Sequence, residues 1–143
     1  MKRDIFHSSS PEETKEFAAR FAKTLQSGDV IALQGELGSG KTTFVQGLAL
    51  GLGVEDYVNS PTFKIVNEFN GEMTLFHFDF YRVNSAEELL KLGFEDYIYQ
   101  DAICVIEWAD RFPEILPEGA IKIYFSNISN GDTRRKIEVE REK

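Results

Sequence analysis

Hydrophobic and polar positions are mixed along most of this chain, but two short segments are entirely apolar. Residues 30–33 read VIAL and residues 103–106 read ICVI, and polar or glycine-rich sequence bounds each run. An apolar run without a polar face predicts a strand that is buried on both sides, as strands of a parallel sheet are. The two runs therefore predict central parallel strands.

Alternating segments predict two hairpins beside these strands. The first comprises residues 62–69 and 73–80, and the second comprises residues 121–125 and 136–139. An Asn-Gly pair, typical of hairpin turns, lies between the strands of each hairpin. In the segment 73–80, alternation places Phe76, Phe78 and Phe80 on one face and Leu75, His77 and Asp79 on the other.

Helical periodicity and capping residues predict three helices. A capping box begins the first helix, and Gly28 is expected to end it. The second helix follows Lys41, with Gly53 as its C-terminal glycine, and a short third helix ends at Gly93. The capping residues are Ser10, Pro11 and Glu13 for the first helix, and Ser85 and Glu88 for the third. These elements predict one α/β domain over residues 1–143, with a mixed sheet and β-hairpins.

Composition and net charge indicate the cellular compartment and the class of binding partner that we expect. The 143 residues are 42% hydrophobic and 28% charged, typical of one soluble globular domain. The sequence contains no apolar run of membrane-spanning length and no secretory signal, and Cys104 lies inside an apolar run, so we expect a cytoplasmic protein with a buried thiol. A net charge of −8 favours protein partners over direct nucleic-acid binding. The basic cluster at residues 134–136 is interpreted as a solvated strand face.

The candidate chemistry centres on residues 35–42, which read GELGSGKT and match the phosphate-binding loop G-x-x-x-x-G-K-[ST]. Glycines allow backbone N–H groups to surround an anion, and the following helix presents its positive end to the phosphates. Lys41 is expected to contact the β- and γ-phosphates, and the Thr42 hydroxyl to ligate Mg²⁺. The flanking strand and helix are the context that this motif requires. The motif and the elements above together predict a P-loop NTPase-like three-layer α/β domain with a mixed sheet and β-hairpins.

Two acidic residues end predicted strands at the edge where α/β sheets bind ligands. Glu107 follows the run 103–106, where phosphate-loop NTPases commonly place an acid that holds Mg²⁺. Asp79 lies near the end of the segment 73–80 and is a candidate for orienting or deprotonating an attacking water. The alternative is that each acid is an ordinary surface residue at a strand end.

Thr62 and Trp108 each have a functional and a structural interpretation, whereas the sequence favours a structural one for His77. Thr62, in Ser-Pro-Thr, is placed where a switch residue senses a γ-phosphate, although Ser-Pro also simply initiates turns. His77 alone is more typical of a structural histidine. Trp108 fits either a core position or a position against the nucleotide.

Several motifs, in this order, resemble one family. They are the loop with its Thr42-Thr43 pair, SPTF at 60–63, HFDFYR at 77–82, LGFEDY at 92–97 and Glu107-Trp108. Together they resemble the bacterial TsaE (YjeE) ATPase family of tRNA threonylcarbamoyladenosine biosynthesis. The resemblance implies Mg²⁺-dependent ATP hydrolysis, weak alone, that supports a TsaB–TsaD complex modifying the adenosine next to the anticodon. It implies contact with tRNA only through that complex.

The resemblance also assigns roles to residues. Thr42 and Glu107 would bind Mg²⁺, and Asp79, Lys41 and Thr62 would serve catalysis. The nucleotide-binding residues would be Glu36, Leu37, Gly38, Ser39, Gly40, Lys41, Thr42, Thr43 and Trp108.

Two other functions remain open. A small-molecule P-loop kinase has the same loop, but it requires a second pocket and a lid for which the two hairpins leave little room. A nucleotide-dependent binding module would capture a partner without hydrolysis. The sequence lacks the guanine-reading motif Asn-Lys-x-Asp, which favours ATP over GTP.

Overall fold

The computed structural model describes residues 2–35, 40–55, 65–128 and 134–141, and within these ranges the chain forms seven strands and four α-helices. The strands are β1 (Lys2–Ser8), β2 (Val30–Gly35), β3 (Val66–Phe69), β4 (Leu75–Asp79), β5 (Ile103–Glu107), β6 (Ile121–Asn127) and β7 (Arg135–Arg141). The helices are α1 (Pro11–Ala22), α2 (Lys41–Gly51), α3 (Ala86–Leu92) and α4 (Phe94–Ile98). Two 3₁₀ turns, Ala109–Arg111 and Pro113–Ile115, follow β5. Of the helices in these ranges, none has the length and apolar character that crossing a membrane requires.

One mixed sheet organises the described chain. Its strand order is β1-β7-β6-β2-β5-β4-β3. The four strands β6, β2, β5 and β4 run parallel to one another. On one side β3 pairs antiparallel with β4, and on the other β7 pairs antiparallel with both β6 and the edge strand β1. The prediction of a mixed sheet with β2 and β5 as central parallel strands is confirmed. The carboxyl ends of β2, β5 and β4 meet at one edge of the sheet.

Helices cover both faces of the sheet, which explains the uninterrupted apolar runs. On β2, Ile31 and Leu33 pack into the core shared with α1 and α2. Val30 and Ala32, on the opposite face, pack into the core shared with α3 and α4. Alternate side chains of one strand thus enter two separate cores. The described chain therefore has the predicted three layers.

Helix α1 begins as predicted and ends earlier. The Ser10 hydroxyl accepts the Glu13 N–H at 3.2 Å, and the Glu13 carboxylate accepts the Ser9 N–H at 2.8 Å. The helix ends at Ala22 and not near Gly28, so that prediction was wrong. The Thr24 hydroxyl and N–H both donate to the Phe21 carbonyl, at 2.7 and 2.9 Å, which tightens the last turn. The ends predicted at Gly53 and Gly93 are confirmed, because both residues adopt positive φ just after α2 and α3.

The hairpin of β3 and β4 forms with shorter strands than predicted. Phe69 pairs with Leu75, so the connection spans residues 70–74 and is longer than a two-residue Asn-Gly turn. A Cβ at Gly71 would lie 2.6 Å from the Leu52 carbonyl oxygen, so the connection packs against the end of α2. Residues 62–64, the start of the predicted strand, lie outside the described residues, as does the predicted turn at 130–131.

Strand β1 and helix α4 were not predicted. Ser8 is the one residue of β1 that is buried, so the strand carries no apolar periodicity. It is held at the sheet edge by pairing with β7 and by the Arg3 guanidinium, which donates to the Glu140 carboxylate at 2.9 Å. Cys104, by contrast, is buried within β5 as expected, and burial raises the pKa of its thiol to about 12.

Two glycines allow α2 to approach α1 closely. A Cβ at Gly47 would lie 2.4 Å from the Lys15 carbonyl oxygen, and a Cβ at Gly51 would lie 2.6 Å from the Ala19 carbonyl oxygen. Neither carbonyl can move without disturbing α1, so side chains at these positions would push the helices apart.

We expect Gly47→Ala to lower the free energy of unfolding by about 1–3 kcal/mol, as overpacking of a core does. An alanine at an exposed helical position would instead stabilise by up to about 1 kcal/mol, so the sign of the change reports the contact. Urea unfolding followed by circular dichroism measures it. Leu50→Ala, on the exposed side of α2 where the side chain is 64% exposed, is the control and should change stability little. A Gly47→Ala protein as stable as the wild type would contradict the close helix contact.

Candidate active site

The structure describes the first residue of the phosphate-loop motif, Gly35, and its last three residues, 40–42, and these lie at the carboxyl ends of the central strands. β2 ends at Gly35, and α2 begins at Lys41 after Gly40, which has a φ of 98°. Gly35 also has a positive φ of 146°, and a Cβ there would lie 2.3 Å from the Phe125 carbonyl oxygen. Both positions therefore require glycine, one for close approach to β6 and one for the left-handed entry into the helix.

Lys41 lies at the start of α2 with its side chain 5% exposed. Its ammonium donates to the Gly35 carbonyl at 2.7 Å and lies 3.6 Å from the centre of the Trp108 ring. Burial lowers the pKa of Lys41, and the carboxylates of Glu107, Asp110 and Asp79 partly offset that effect. The cation is thus held over the end of β2 by a carbonyl dipole and an aromatic face.

Glu107, the last residue of β5, links three elements of the fold. Its Oε1 accepts the Thr42 hydroxyl of α2 at 3.1 Å, and its Oε2 lies 2.6 Å from Nε2 of His77 on β4. The carboxylate is nearly inaccessible, because Glu107 is only 3% exposed. A hydroxyl and a carboxylate side by side are oxygen donors of the kind that Mg²⁺ prefers.

The described residues contain no group of three or more His, Cys, Asp or Glu side chains arranged to hold a metal ion. Mg²⁺ commonly keeps several waters and takes only one or two carboxylates together with phosphate oxygens. The Thr42–Glu107 pair therefore fits a Mg²⁺ that is bound together with a nucleotide, and it does not fit a metal site made of protein ligands alone.

Asp79 lies beside Glu107 because the two residues are paired in the parallel register of β4 and β5. Its carboxylate is half-buried and accepts the Tyr81 N–H at 2.9 Å. Burial, with a smaller contribution from the Glu107 charge, raises the pKa of Asp79 above its usual value, and the Tyr81 hydrogen bond, His77 and Lys41 act in the opposite direction. A raised pKa brings a carboxylate closer to the range useful for accepting a proton.

Trp108 closes one side of this cluster from a strained backbone position. Its φ of 59° makes it the one non-glycine residue with positive φ in the described ranges. The ring contacts both the Lys41 ammonium and the Tyr81 ring, whose centre is 5.0 Å away. Strain of this kind costs about 1–3 kcal/mol and persists where the surrounding structure enforces it. The indole is half-buried, as a residue at the margin of the core would be, and it also lies against Lys41 of the candidate nucleotide site.

Two arginines near the cluster were not predicted from the sequence. Arg111, in the 3₁₀ turn after β5, donates to the carbonyls of Tyr81 and Val83 at 2.8 and 3.0 Å and so fastens the segment that follows Asp79. Arg135, at the start of β7, places its Cγ 4.0 Å from where a Cβ of Gly40 would lie. The basic cluster at residues 134–136 was the sequence signal for Arg135, and it was interpreted as a solvated strand face. No sequence pattern indicated Arg111.

Comparison with known proteins identifies the family. The family model described as "Threonylcarbamoyl adenosine biosynthesis protein TsaE" matches residues 8–137. The tRNA threonylcarbamoyladenosine biosynthesis protein TsaE of Bacillus subtilis is 41% identical over 138 residues, covering 96% of this chain and 85% of that protein. The TsaE protein of Treponema pallidum is 38% identical, covering 87% and 93%. The chain belongs to the TsaE family.

A solved structure agrees with this membership. The crystal structure of YdiB from Bacillus subtilis superimposes with a TM-score of 0.83 at 35% identity, covering 98% of this chain and 86% of that one. The predicted α/β fold is thereby confirmed for this TsaE-family chain.

The structure brings together most of the predicted site residues that it describes. Lys41, Thr42, Glu107, Asp79 and Trp108 lie around one end of the sheet, as given above. Thr43 lies in the first turn of α2 and is half-buried. The predicted residues that lie outside the described ranges are Glu36, Leu37, Gly38, Ser39 and Thr62. The bonding of His77 to Glu107 was not predicted, because it depends on which strand lies next to β5.

The raised pKa of Asp79 makes the stability of this TsaE-family protein depend on pH. Because the folded state binds the Asp79 proton more tightly than the unfolded state does, the protonated side chain favours folding at low pH. That contribution is lost as the pH rises through the folded-state pKa, so the ionised carboxylate opposes folding at neutral pH.

We expect Asp79→Asn to raise the free energy of unfolding at pH 7. The gain should shrink as the pH falls toward 3.8, the ordinary pKa of the group, because the wild-type side chain is then protonated as well. Urea unfolding between pH 3.5 and pH 7.5 measures the difference. Asp96→Asn removes the same charge from an exposed position on α4 and corrects for the effect of net charge. A less stable Asp79→Asn protein at pH 7 would refute the expectation.

Proposed function

We propose that this protein is a Mg²⁺-dependent ATPase that supports threonylcarbamoylation of the adenosine next to the tRNA anticodon, working with TsaB and TsaD. The observation that carries the proposal is the contact of Thr42 with Glu107 beside the Lys41 ammonium, at the N-terminus of α2. Anion-binding helix ends, a lysine and a Mg²⁺-type oxygen pair occur together in sites that bind nucleoside triphosphates. Family membership supports the pathway.

Different residues at the start of α2 and the end of β5 would bind the phosphates and the metal ion. Lys41 would supply a cation for the β- and γ-phosphate oxygens, and the N–H groups at the N-terminus of α2 would stabilise the same anion. Trp108 limits the positions that the Lys41 ammonium can adopt. Thr42 and Glu107 would hold Mg²⁺, which supplies charge neutralisation at the phosphate oxygens when it is bound.

Hydrolysis requires a proton acceptor near the phosphates, and Asp79 is the residue we propose for this role. Its carboxylate would orient the attacking water and accept its proton. The Tyr81 N–H donates to one oxygen of the Asp79 carboxylate, and Arg111 donates to the Tyr81 carbonyl, so the residue that holds Asp79 is itself held in place. Thr62, which precedes β3, is proposed as the residue that senses the γ-phosphate.

Charge supports a role beside partner proteins. The chain carries a net charge of −8, which opposes tight binding to the phosphate backbone of tRNA by this protein alone. We therefore propose contact with tRNA only through TsaB and TsaD, in the cytoplasm. Several relatives are named tRNA threonylcarbamoyladenosine biosynthesis protein TsaE, which supports a role in the same pathway.

Reconstitution tests the proposed function directly. We expect multiple-turnover threonylcarbamoylation of tRNA by TsaB and TsaD to require this protein and ATP, and we expect its ATPase rate to rise when both partners are added. Modified adenosine and released phosphate are measured in the same reaction. Unchanged turnover without this chain would refute the proposal. Phosphoryl transfer to a small acceptor would favour the kinase, and ATP-dependent partner capture without phosphate release would favour the binding module.

Substitutions should separate binding from catalysis. Lys41→Ala is expected to weaken ATP binding by about 10- to 100-fold, because it removes a charge-assisted contact worth about 1.5–3 kcal/mol. Asp79→Ala is expected to keep most of the binding and to lower hydrolysis by about 100-fold or more, as loss of a general base does. Calorimetry and phosphate release measure the two effects.

The matched control is Lys91→Ala, which removes a lysine from the exposed face of α3, where its side chain is 77% exposed. This variant should bind and hydrolyse ATP as the wild type does. An equal loss of ATP binding in Lys41→Ala and Asp79→Ala would remove the catalytic role proposed for Asp79.

A further inference from the structure

His77 is a fully buried imidazole in the middle of an apolar strand. It lies between Phe76 and Phe78 on β4 and is 0% exposed. A polar ring in such a place costs free energy unless it is hydrogen-bonded. Nε2 has a partner, the Glu107 carboxylate, whereas Nδ1 has no hydrogen-bond partner in the described part of the chain. The polar contact of this ring is therefore directed at the candidate active site.

The strand register explains how the ring reaches Glu107. His77 pairs with Val105 across the parallel β4–β5 ladder, and Glu107 is two residues further along β5 on the same face. The imidazole spans this offset and approaches Oε2 of Glu107 at 2.6 Å. It contacts the carboxylate from the side of β4, whereas Thr42 approaches from α2.

The two contacts use different oxygens of one carboxylate. Thr42 donates to Oε1 and His77 lies against Oε2, so rotation of the carboxylate would break both contacts at once. A glutamate without such contacts loses rotamer entropy when it is fixed. Held in this way, Glu107 presents the Oε1 edge to the Thr42 hydroxyl before any ligand arrives.

We infer that His77 is a positioning residue that sets the affinity of the site for a divalent cation by fixing the Glu107 carboxylate. The inference rests on the proposed function, because it concerns the Mg²⁺ that Thr42 and Glu107 would hold there. His77 itself touches neither nucleotide nor metal in this arrangement. Residues that orient metal-binding side chains commonly change metal affinity by about 10- to 100-fold when they are replaced.

The test measures binding of a non-hydrolysable ATP analogue by calorimetry at a series of Mg²⁺ concentrations. We expect His77→Met to raise the half-saturating Mg²⁺ concentration about tenfold or more, with affinity for the analogue in the absence of Mg²⁺ unchanged. His77→Gln retains an N–H donor near the position of Nε2 and should restore the wild-type value to within about threefold. His77→Asn, whose amide is too short to reach Oε2, should behave like His77→Met.

A double-mutant cycle separates positioning from packing. If His77 acts through Glu107, His77→Met should cause no further shift in a Glu107→Ala background. Phe76→Leu is the matched packing control, because Phe76 is buried on the opposite face of β4 and its replacement should lower the melting temperature without changing the Mg²⁺ dependence. Melting curves are recorded for every variant, and His77→Gln and His77→Asn suffice if His77→Met does not fold.

Each outcome has a defined meaning. An unchanged Mg²⁺ dependence in a folded His77→Met protein would overturn the positioning role. So would an equal shift from His77→Met with and without Glu107, or a failure of His77→Gln to restore the Mg²⁺ dependence in a folded protein. A wild-type protein that binds the analogue with no dependence on Mg²⁺ would instead overturn the proposed function. A shift that is restored by Gln and absent in the Glu107→Ala background would support the positioning role.

Discussion

The buried carboxylate of Glu107 is the point through which the parts of this site are connected. Glu107 is the last residue of β5 and pairs in register with Asp79 of β4. Its carboxylate accepts a hydrogen bond from Thr42 of α2 and contacts His77 of β4. Because parallel strands bring their carboxyl ends to one edge, this single residue can join three elements that are far apart in the sequence. The arrangement holds only while β4, β5 and β2 remain adjacent, so the two cores that cover the sheet also maintain the site.

The central sheet could be predicted because burial on both faces leaves an unmistakable pattern. The runs 30–33 and 103–106 contain no polar position, and both became inner parallel strands. The edge strand β1 could not be predicted, because its pairing with β7 depends on backbone hydrogen bonds and on Arg3, and its exposed side chains carry no period. The end of α1 was also missed, because the helix ends at Ala22, where Thr24 donates to the Phe21 carbonyl, and Gly28 lies beyond that turn.

The site was predictable where its chemistry is local and unpredictable where it depends on strand order. Lys41 and Thr42 belong to one contiguous motif, and the two acids were located because they end strands. The contact of His77 with Glu107 and the stacking of Lys41 on Trp108 require β4 to lie beside β5, with β5 beside β2. A single sequence does not state that order. The same holds for Arg111, whose partners are carbonyl groups and leave no trace in side-chain patterning.

The charges of the site are only partly compensated by the protein. Burial lowers the pKa of Lys41 and raises that of Asp79, so the fold opposes the charged form of both groups. The effective dielectric is lower there than in water, and an added opposite charge therefore interacts more strongly with these groups than it would at the surface. A site that is electrostatically unfavourable in the protein alone thus gains more from a bound anion and a bound cation together. This coupling supports the proposed joint binding of Mg²⁺ and nucleotide, and it agrees with the lack of a group of three or more metal-ligating side chains among the described residues.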